Sequence, residues 1–217
     1  MKETFDTSPG EQHFSDWRIF TRIWISPRQV FKFINDYRYD KYVIVLLLLA
    51  GIAKTFERAS SNNYGDTRGL VETVLTCVLI GGLFGWITYY IFAGIISWTG
   101  KWFKGQGDTS SILRIMSYAM IPSVIVLIIL FIRILLSGNE VFTSPEEGDA
   151  DLTTVIGSYF LAFIYILLAF WSIVLVVVGI SEVQKLSIGK SILNLLSASL
   201  IFLSPFILLG GLMAAIM

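Results

Sequence analysis

The sequence has little of what disulfides, metal sites and most catalytic sites require. Cys77 is the only cysteine and His13 the only histidine among 217 residues. A single cysteine forms no disulfide within the chain, and one Cys with one His cannot supply a Cys/His zinc cluster. No HExxH, GxSxG or P-loop motif is present. We therefore predict that the protein binds no metal and no cofactor and is not an enzyme.

Charge is also scarce. Only 15% of the residues are charged and the formal net charge is zero, whereas soluble domains carry roughly a quarter charged residues. A neutral chain has no electrostatic attraction for nucleic acid, so no nucleic-acid partner is expected. Hydrophobic residues instead make up 55% of the chain, and the mean hydropathy is +0.73. This composition predicts an all-α membrane protein.

Five apolar segments are candidates for membrane spans. They lie at 42–56, 70–98, 112–136, 155–180 and 191–216. The first is the weakest, because its strongly apolar part covers little more than half a bilayer and Lys54 must snorkel outward if it crosses. We predict a polytopic bundle of five transmembrane helices over 42–217, preceded by a tail over 1–41.

The positions of Lys and Arg predict the orientation of this bundle. Most basic residues outside the spans fall on the side of the amino terminus. The loop at 138–154 would lie on the other side, and it has five acidic residues and no basic one. By the positive-inside rule, the amino terminus is cytoplasmic and the carboxyl terminus is outside. Glu146 and Glu147 in that loop are interpreted as solvated charges rather than as a general acid and base.

Aromatic residues are concentrated ahead of the first span. Trp17, Phe20 and Trp24 recur at the helical spacing i, i+3, i+7. Arg18 and Arg22 fall on other faces, a pattern typical of an amphipathic helix that lies in the headgroup plane. The alternative is that these aromatic residues only pack beneath the bundle.

A second short helix is predicted directly afterwards. Ser26 suits an N-cap and Pro27 the first helical position. Val30, Phe31 and Ile34 would form the apolar stripe of this helix. The tail should therefore contain two interfacial helices.

The second span has a seam of small residues. Thr73, Cys77, Gly81 and Gly85 repeat every four residues on one helix face. Such a seam lets another helix backbone approach closely. Helix packing is the simpler interpretation, and a substrate groove is the alternative.

Polar residues and prolines inside spans also need an explanation. Asn194 in the last span should find either an interhelical partner or a water-filled cavity, because lipid offers no hydrogen bond. Pro122 and Pro205 each delete a backbone donor and are predicted to kink their helices.

The ionisable residues closest to hydrocarbon lie near predicted span ends. They are Glu72, Arg133, Lys54 and Glu182. None is placed at a midplane, which argues against proton- or ion-coupled transport.

Six segments carry a resemblance to a known family. They are 25–31 (ISPRQVF), 101–109 (KWFKGQGDT), 117–122 (SYAMIP), 170–173 (FWSI), 178–183 (VGISEV) and 186–190 (LSIGK). In this order they resemble the Yip1 domain family, in which a glycine-rich turn leads into a span and a Trp-containing helix precedes a small-residue entry to the last helix. The resemblance implies a five-helix bundle of the orientation already expected from the charges.

Eukaryotic relatives in that family bind Rab GTPases and act in vesicle traffic. This chain lacks their long hydrophilic amino-terminal region and a clear Asp-Leu-Tyr-Gly-Pro element, so Rab binding is not carried over. Its compact form resembles prokaryotic members. The expected location is a bacterial cytoplasmic membrane, with the endoplasmic reticulum or Golgi membrane as the alternative.

Two functional hypotheses follow. The first is a non-catalytic adaptor or scaffold that contacts membrane lipids and binds other membrane proteins or a second copy of itself. Its candidate contact residues are Trp17, Phe20, Trp24 and Phe31 at the surface, with Gly81 and Gly85 inside the membrane.

The alternative is a small-molecule or ion transporter, a channel or a lipid-handling protein that uses the kinks at Pro122 and Pro205 and the polar face at Asn194. A cavity that reaches Asn194 would favour it. An Asn194 side chain bonded to a neighbouring helix would argue against it.

Overall fold

The protein is built from α-helices joined by short turns. The computed structural model describes residues 15–144 and 152–216. Within these ranges the α-helices are α1 (Asp16–Arg22), α2 (Pro27–Asp36), α3 (Val43–Ser61), α4 (Leu70–Gly100), α5 (Thr109–Ala119), α6 (Ile121–Ser137), α7 (Leu152–Gln184) and α8 (Ile188–Ile216). The predicted all-α class is confirmed over these residues. His13, Glu146 and Glu147 lie outside the described residues.

Four helical stretches within the described residues are long and apolar enough to cross a bilayer. They are Leu70–Phe103, Thr109–Phe142, Val155–Gln184 and Ile188–Leu208. These stretches coincide with the last four predicted spans.

The first predicted span falls in α3, which differs from those four stretches. α3 has 19 residues, and a rise of about 1.5 Å per residue makes it roughly 28 Å long, close to the ~30 Å of hydrocarbon in a bilayer. Its second half carries Lys54, Glu57 and Arg58. Lys54 Nζ and Glu57 Oε2 are 2.8 Å apart and form an ion pair, which lowers the cost of placing both charges near hydrocarbon.

The small-residue seam of α4 packs against α3. A Cβ atom on Gly81 would lie 2.7 Å from the carbonyl oxygen of Gly51 and 2.6 Å from Thr55 Oγ1, so only glycine allows this approach of the two backbones. A Cβ atom on Gly85 would also collide with Gly51. Helix packing is therefore the role of the seam. The prediction that Gly81 and Gly85 contact a partner protein is wrong, because α3 occupies both.

Proline acts differently in its two predicted places. α5 ends at Ala119, and α6 begins at Ile121 with Pro122 in its first turn. The third span is therefore interrupted there, as expected for a residue without a backbone donor. α8 continues as a helix through Pro205.

α1 and α2 form a layer across one end of the bundle. Phe31 and Ile34 of α2 are fully buried in a core that includes Ile115 of α5 and Ile180 of α7. We call α1 and α2 the amino-terminal layer, and the end of the bundle that they cover the layer end. The prediction that Phe31 lies on an exposed contact surface is wrong, because the apolar stripe of α2 faces the bundle.

α1 turns a different face to the bundle from the one predicted. Ile19 and Ile23 are fully buried, whereas Trp17 is 76% exposed. The helix ends at Arg22, so Trp24 does not continue the predicted stripe. Aliphatic residues with i, i+4 spacing thus mark the inner face, and the aromatic spacing was misleading.

The opposite end of the bundle is closed by two turns, at Tyr64–Asp66 and Gly138–Phe142. Asn139 Nδ2 donates to the carbonyl oxygen of Gly65 at 3.1 Å. The backbone N–H of Ser144 donates to Asp66 at 2.9 Å. We call this the loop end. These bonds tie the α3–α4 connection to the end of α6.

Candidate functional site

The glycine-rich turn after α4 meets the end of α7 at the layer end. Gln184 is fully buried. Its Nε2 donates to the carbonyl oxygen of Ile96 at 3.0 Å, and its own backbone carbonyl accepts from the N–H of Gln106 at 3.2 Å. A Cβ atom on Gly100 or on Gly105 would collide with the Gln184 side chain. The glycines therefore leave the space that Gln184 fills.

Asn194 of α8 completes the same buried network. Its Nδ2 donates to the carbonyl oxygen of Ile96 at 3.3 Å, and Thr99 Oγ1 donates to Asn194 Oδ1 at 2.6 Å. One carbonyl of α4 thus accepts from both α7 and α8. Because Asn194 is fully buried and bonded to a neighbouring helix, this arrangement argues against a polar pathway through it.

α2 is tied to the end of α7 by charge. Arg28 Nε donates to Glu182 Oε2 at 3.3 Å, and Lys185 Nζ donates to Glu182 Oε1 at 3.1 Å. Only 12% of the Glu182 side chain is exposed. Lys185 directly follows α7 and adopts the left-handed region, with φ of 56°. The two cations compensate the carboxylate where the chain leaves the helix.

Arg114 of α5 anchors the connection between α2 and α3. Its Nε donates to Asp40 Oδ1 at 2.6 Å, and its Nη2 donates to Asp40 Oδ2 at 3.2 Å. The Arg114 side chain is only 7% exposed, whereas that of Asp40 is 63% exposed. A two-pronged arginine–carboxylate pair fixes direction as well as distance.

Asp16 at the start of α1 gathers three donors. Tyr39 Oη donates to Asp16 Oδ1 at 2.5 Å and Tyr42 Oη donates to Asp16 Oδ2 at 2.7 Å. Lys41 also pairs with the Asp16 carboxylate. The hydrogen bond from Lys41, followed by those from the two tyrosines, holds the pKa of Asp16 below its usual value. This cluster latches α1 onto the connection that Arg114 anchors.

Segments that are far apart in sequence therefore meet at the layer end. A model of the Yip1 domain matches residues 21–209 of the chain. The chain belongs to the Yip1 domain family. No curated protein and no solved structure matches it. Together with the four apolar helical stretches, this membership makes it an integral membrane protein, and its Yip1 domain runs from the last residues of α1 into α8.

The protein presents large aromatic and aliphatic side chains at the layer end. Trp17 and Ile25 are 76% and 85% exposed. Trp98 and Trp102 are also exposed, and their rings meet edge to face with centroids 5.2 Å apart. Exposed basic residues accompany them: Arg18, Lys32, Lys101 and Lys104. We call this outward surface of the layer end the platform.

The remaining predicted residues divide between structure and surface. Phe20 is half-buried and meets Tyr42 edge to face at 5.3 Å, and Trp24 packs partly against the core. Glu72 lies on the surface 3.9 Å from Arg68. Phe20 and Trp24 thus support the bundle, whereas Trp17 faces outward.

Proposed function

We propose that this Yip1-domain protein is a non-catalytic membrane adaptor whose platform binds a protein partner at the membrane surface. The observation that supports the proposal is the exposure of Trp17 and Ile25 on a layer whose other side is locked to the bundle. Tryptophan and arginine are the residues that most often dominate binding energy at protein interfaces.

The chemistry of the platform indicates the kind of partner. Trp17 and Ile25 suit an apolar pocket, and Arg18 and Lys32 suit an acidic rim around it. Trp98 and Trp102 continue from the last turn of a long apolar helix, where tryptophan commonly rests at the headgroup level. We therefore assign protein contact to Trp17 and Ile25, and lipid contact to Trp98 and Trp102.

The adaptor proposal includes a topology of five spans. α3 is long enough to cross, and its backbone packs directly on that of α4 at Gly51. A crossing α3 puts the platform and the carboxyl terminus on opposite sides of the bilayer. With the positive-inside charge distribution, the platform faces the cytoplasm of a bacterial cell.

Compartment-sensitive reporters test the topology directly. One reporter is fused to the amino terminus, one is inserted in the loop at 138–154 and one is fused to the carboxyl terminus. The expected result is an internal amino terminus with the other two positions outside. Both termini on one side would contradict five spans.

Photo-crosslinking in cells tests the adaptor role. Benzoylphenylalanine replaces Trp17 in one variant and Trp86 in a matched control, because Trp86 is an exposed tryptophan within the apolar stretch of α4. We expect discrete protein adducts from position 17 that weaken when Arg18→Glu reverses the neighbouring charge. Position 86 should give mainly lipid adducts.

The same experiment can overturn the proposal. Lipid adducts alone at position 17, or the same protein adducts from positions 17 and 86, would contradict a partner-binding platform. The hydrogen bonds that hold Asn194 within the bundle support the adaptor over the transporter alternative.

A further inference from the structure

A partly polar cavity lies inside the bundle, away from the platform. This cavity of about 310 Å³ lies between α3, α6 and α7, and Tyr89 of α4 also lines it. Tyr89, Ser123 and Ala169 come from the middle parts of their spans, and the cavity extends from there to Ser60 and Ser61 at the end of α3. It thus occupies the half of the bundle towards the loop end.

Three charged side chains line this cavity: Lys54, Glu57 and Arg133. Lys54 and Glu57 form an ion pair at 2.8 Å. Within the part of the chain that the structure describes, Arg133 has no ion pair and no side-chain hydrogen bond. The cavity therefore holds one positive charge that no described residue compensates. Charges near hydrocarbon usually pair with another group or face a polar cavity, and by default they indicate function.

A hydroxyl group adds a second unused donor. The Tyr165 hydroxyl is buried and has no hydrogen-bond partner among the described residues, and Tyr165 lines the cavity. A buried donor without a partner costs free energy that a bound acceptor would recover. Arg133 and Tyr165 come from neighbouring helices, so one ligand between α6 and α7 could accept from both.

The rest of the lining limits the size and polarity of such a ligand. Ala50, Ala53, Leu127, Leu130 and Leu168 make the remaining wall largely apolar. A volume of about 310 Å³ is at the lower end of the roughly 300–1,000 Å³ typical of small-molecule pockets. The space suits a headgroup with its first carbon atoms and excludes whole acyl chains.

We propose that this cavity binds a phosphate-type oxyanion carrying one negative charge, with Arg133 as the principal contact and the Tyr165 hydroxyl as a second donor. The planar guanidinium matches the paired oxygens of phosphate. Lys54 contributes a point charge from α3, and Glu57 keeps the total at a single positive charge. A phosphodiester of an anionic phospholipid headgroup and free inorganic phosphate share this chemistry.

Native mass spectrometry of the full chain in a mild uncharged detergent tests the proposal. The probes are short-chain phosphatidylglycerol, short-chain phosphatidylcholine and inorganic phosphate. We expect one phosphatidylglycerol per chain, bound more tightly than phosphatidylcholine, because the positive charge of choline offsets the attraction. Arg133→Gln should weaken this binding by about tenfold or more, and Tyr165→Phe by about threefold, since Arg133 contributes a charge as well as donors and Tyr165 contributes one neutral donor.

Arg58→Gln is the matched control. Arg58 is an exposed cation on α3, one turn from Lys54, that does not line the cavity. The same change of charge there should leave binding unchanged. Thermal unfolding and gel filtration check each variant, and Tyr165→Phe, which keeps the ring, decides the matter if Arg133→Gln does not fold.

The outcomes separate the two sources of the oxyanion. Binding of phosphatidylglycerol that depends on Arg133 supports a lipid headgroup. Binding of inorganic phosphate alone, with the same dependence, supports the site with a soluble ligand. Three results would overturn the proposal. Binding could survive both Arg133→Gln and Tyr165→Phe, or Arg58→Gln could weaken it as much as Arg133→Gln does. The third such result is that neither phosphatidylglycerol nor inorganic phosphate binds.

Discussion

The layer end and the cavity of the bundle differ in the ion pairs that their arginines form with described residues. At the layer end, Arg114 pairs with Asp40 and Arg28 pairs with Glu182. In the cavity, Arg133 has no such partner among the described residues. A charge that is paired within the chain holds helices in place, whereas an unpaired one is available to a ligand. The comparison distinguishes arginines that stabilise the fold from an arginine that can bind a ligand.

The largest expected effect concerns α3, which both regions share. Gly81→Ala should lower the free energy of unfolding by about 3 kcal/mol, because the added methyl group meets backbone atoms of α3 and overpacked sites cannot relax cheaply. Gly82→Ala is the matched control, since a Cβ there lies 3.8 Å from the nearest Ile52 atom. Steric trapping in bicelles would measure both. A similar loss in the two variants would show that α3 does not depend on this contact.

Two arginine substitutions test whether paired and unpaired arginines contribute differently to stability. Arg114→Ala should cost about 2 kcal/mol of unfolding free energy, less than for a fully buried pair because water can solvate the exposed Asp40. Arg133→Ala should change it by no more than about 0.5 kcal/mol, as for residues outside structural networks. The same unfolding measurement, made without added lipid, gives both values. Equal losses would remove the distinction between paired and ligand-binding charges.

The amide network at the layer end predicts coupling between two helices. Gln184→Met and Asn194→Leu each remove a donor to the carbonyl oxygen of Ile96 and should cost about 1 kcal/mol. Because either amide still bonds the shared acceptor when the other is removed, the double variant should lose more than the sum of the two. A double-mutant cycle on unfolding free energy measures this. Strict additivity would indicate that the two amides act independently.

The smallest effect is a response to acid at α1. The pKa of Asp16 is lowered in the folded protein, so its stabilising contribution is complete above the unfolded value of about 3.9 and is lost as pH falls through the folded value. Hydrogen exchange of α1 amides should therefore be protected at neutral pH and become faster relative to α2 only in strong acid. Asp16→Asn should remove this dependence on pH. An unchanged acid response in that variant would assign it to another group.

The sequence predicted more of the spans than of their contacts. Long apolar runs identified the four stretches from Leu70 onward, and Ser26 with Pro27 marked the start of α2. Helical spacing alone did not identify the inner face of α1, because Trp17 and Ile19 are both apolar and only packing separates them. Arg133 and Lys54 were explained separately as residues at span ends. Both residues line one cavity because α3 and α6 are neighbours in the bundle. The spacing of residues within one helix does not predict which helix packs beside it.

Hydropathy and local signals by themselves determined that this protein is a helical membrane protein, because lipid imposes the same requirement on every span whatever its neighbours. The motifs also indicated the Yip1 family. Tertiary structure alone decided that Gln184 fills the space left by two glycines, that Gly81 serves α3 rather than a partner, and that Arg133 and Tyr165 face one cavity. These outcomes depend on how helices distant in sequence pack side by side, since side-chain pairing between helices is a property of their arrangement and not of any single segment.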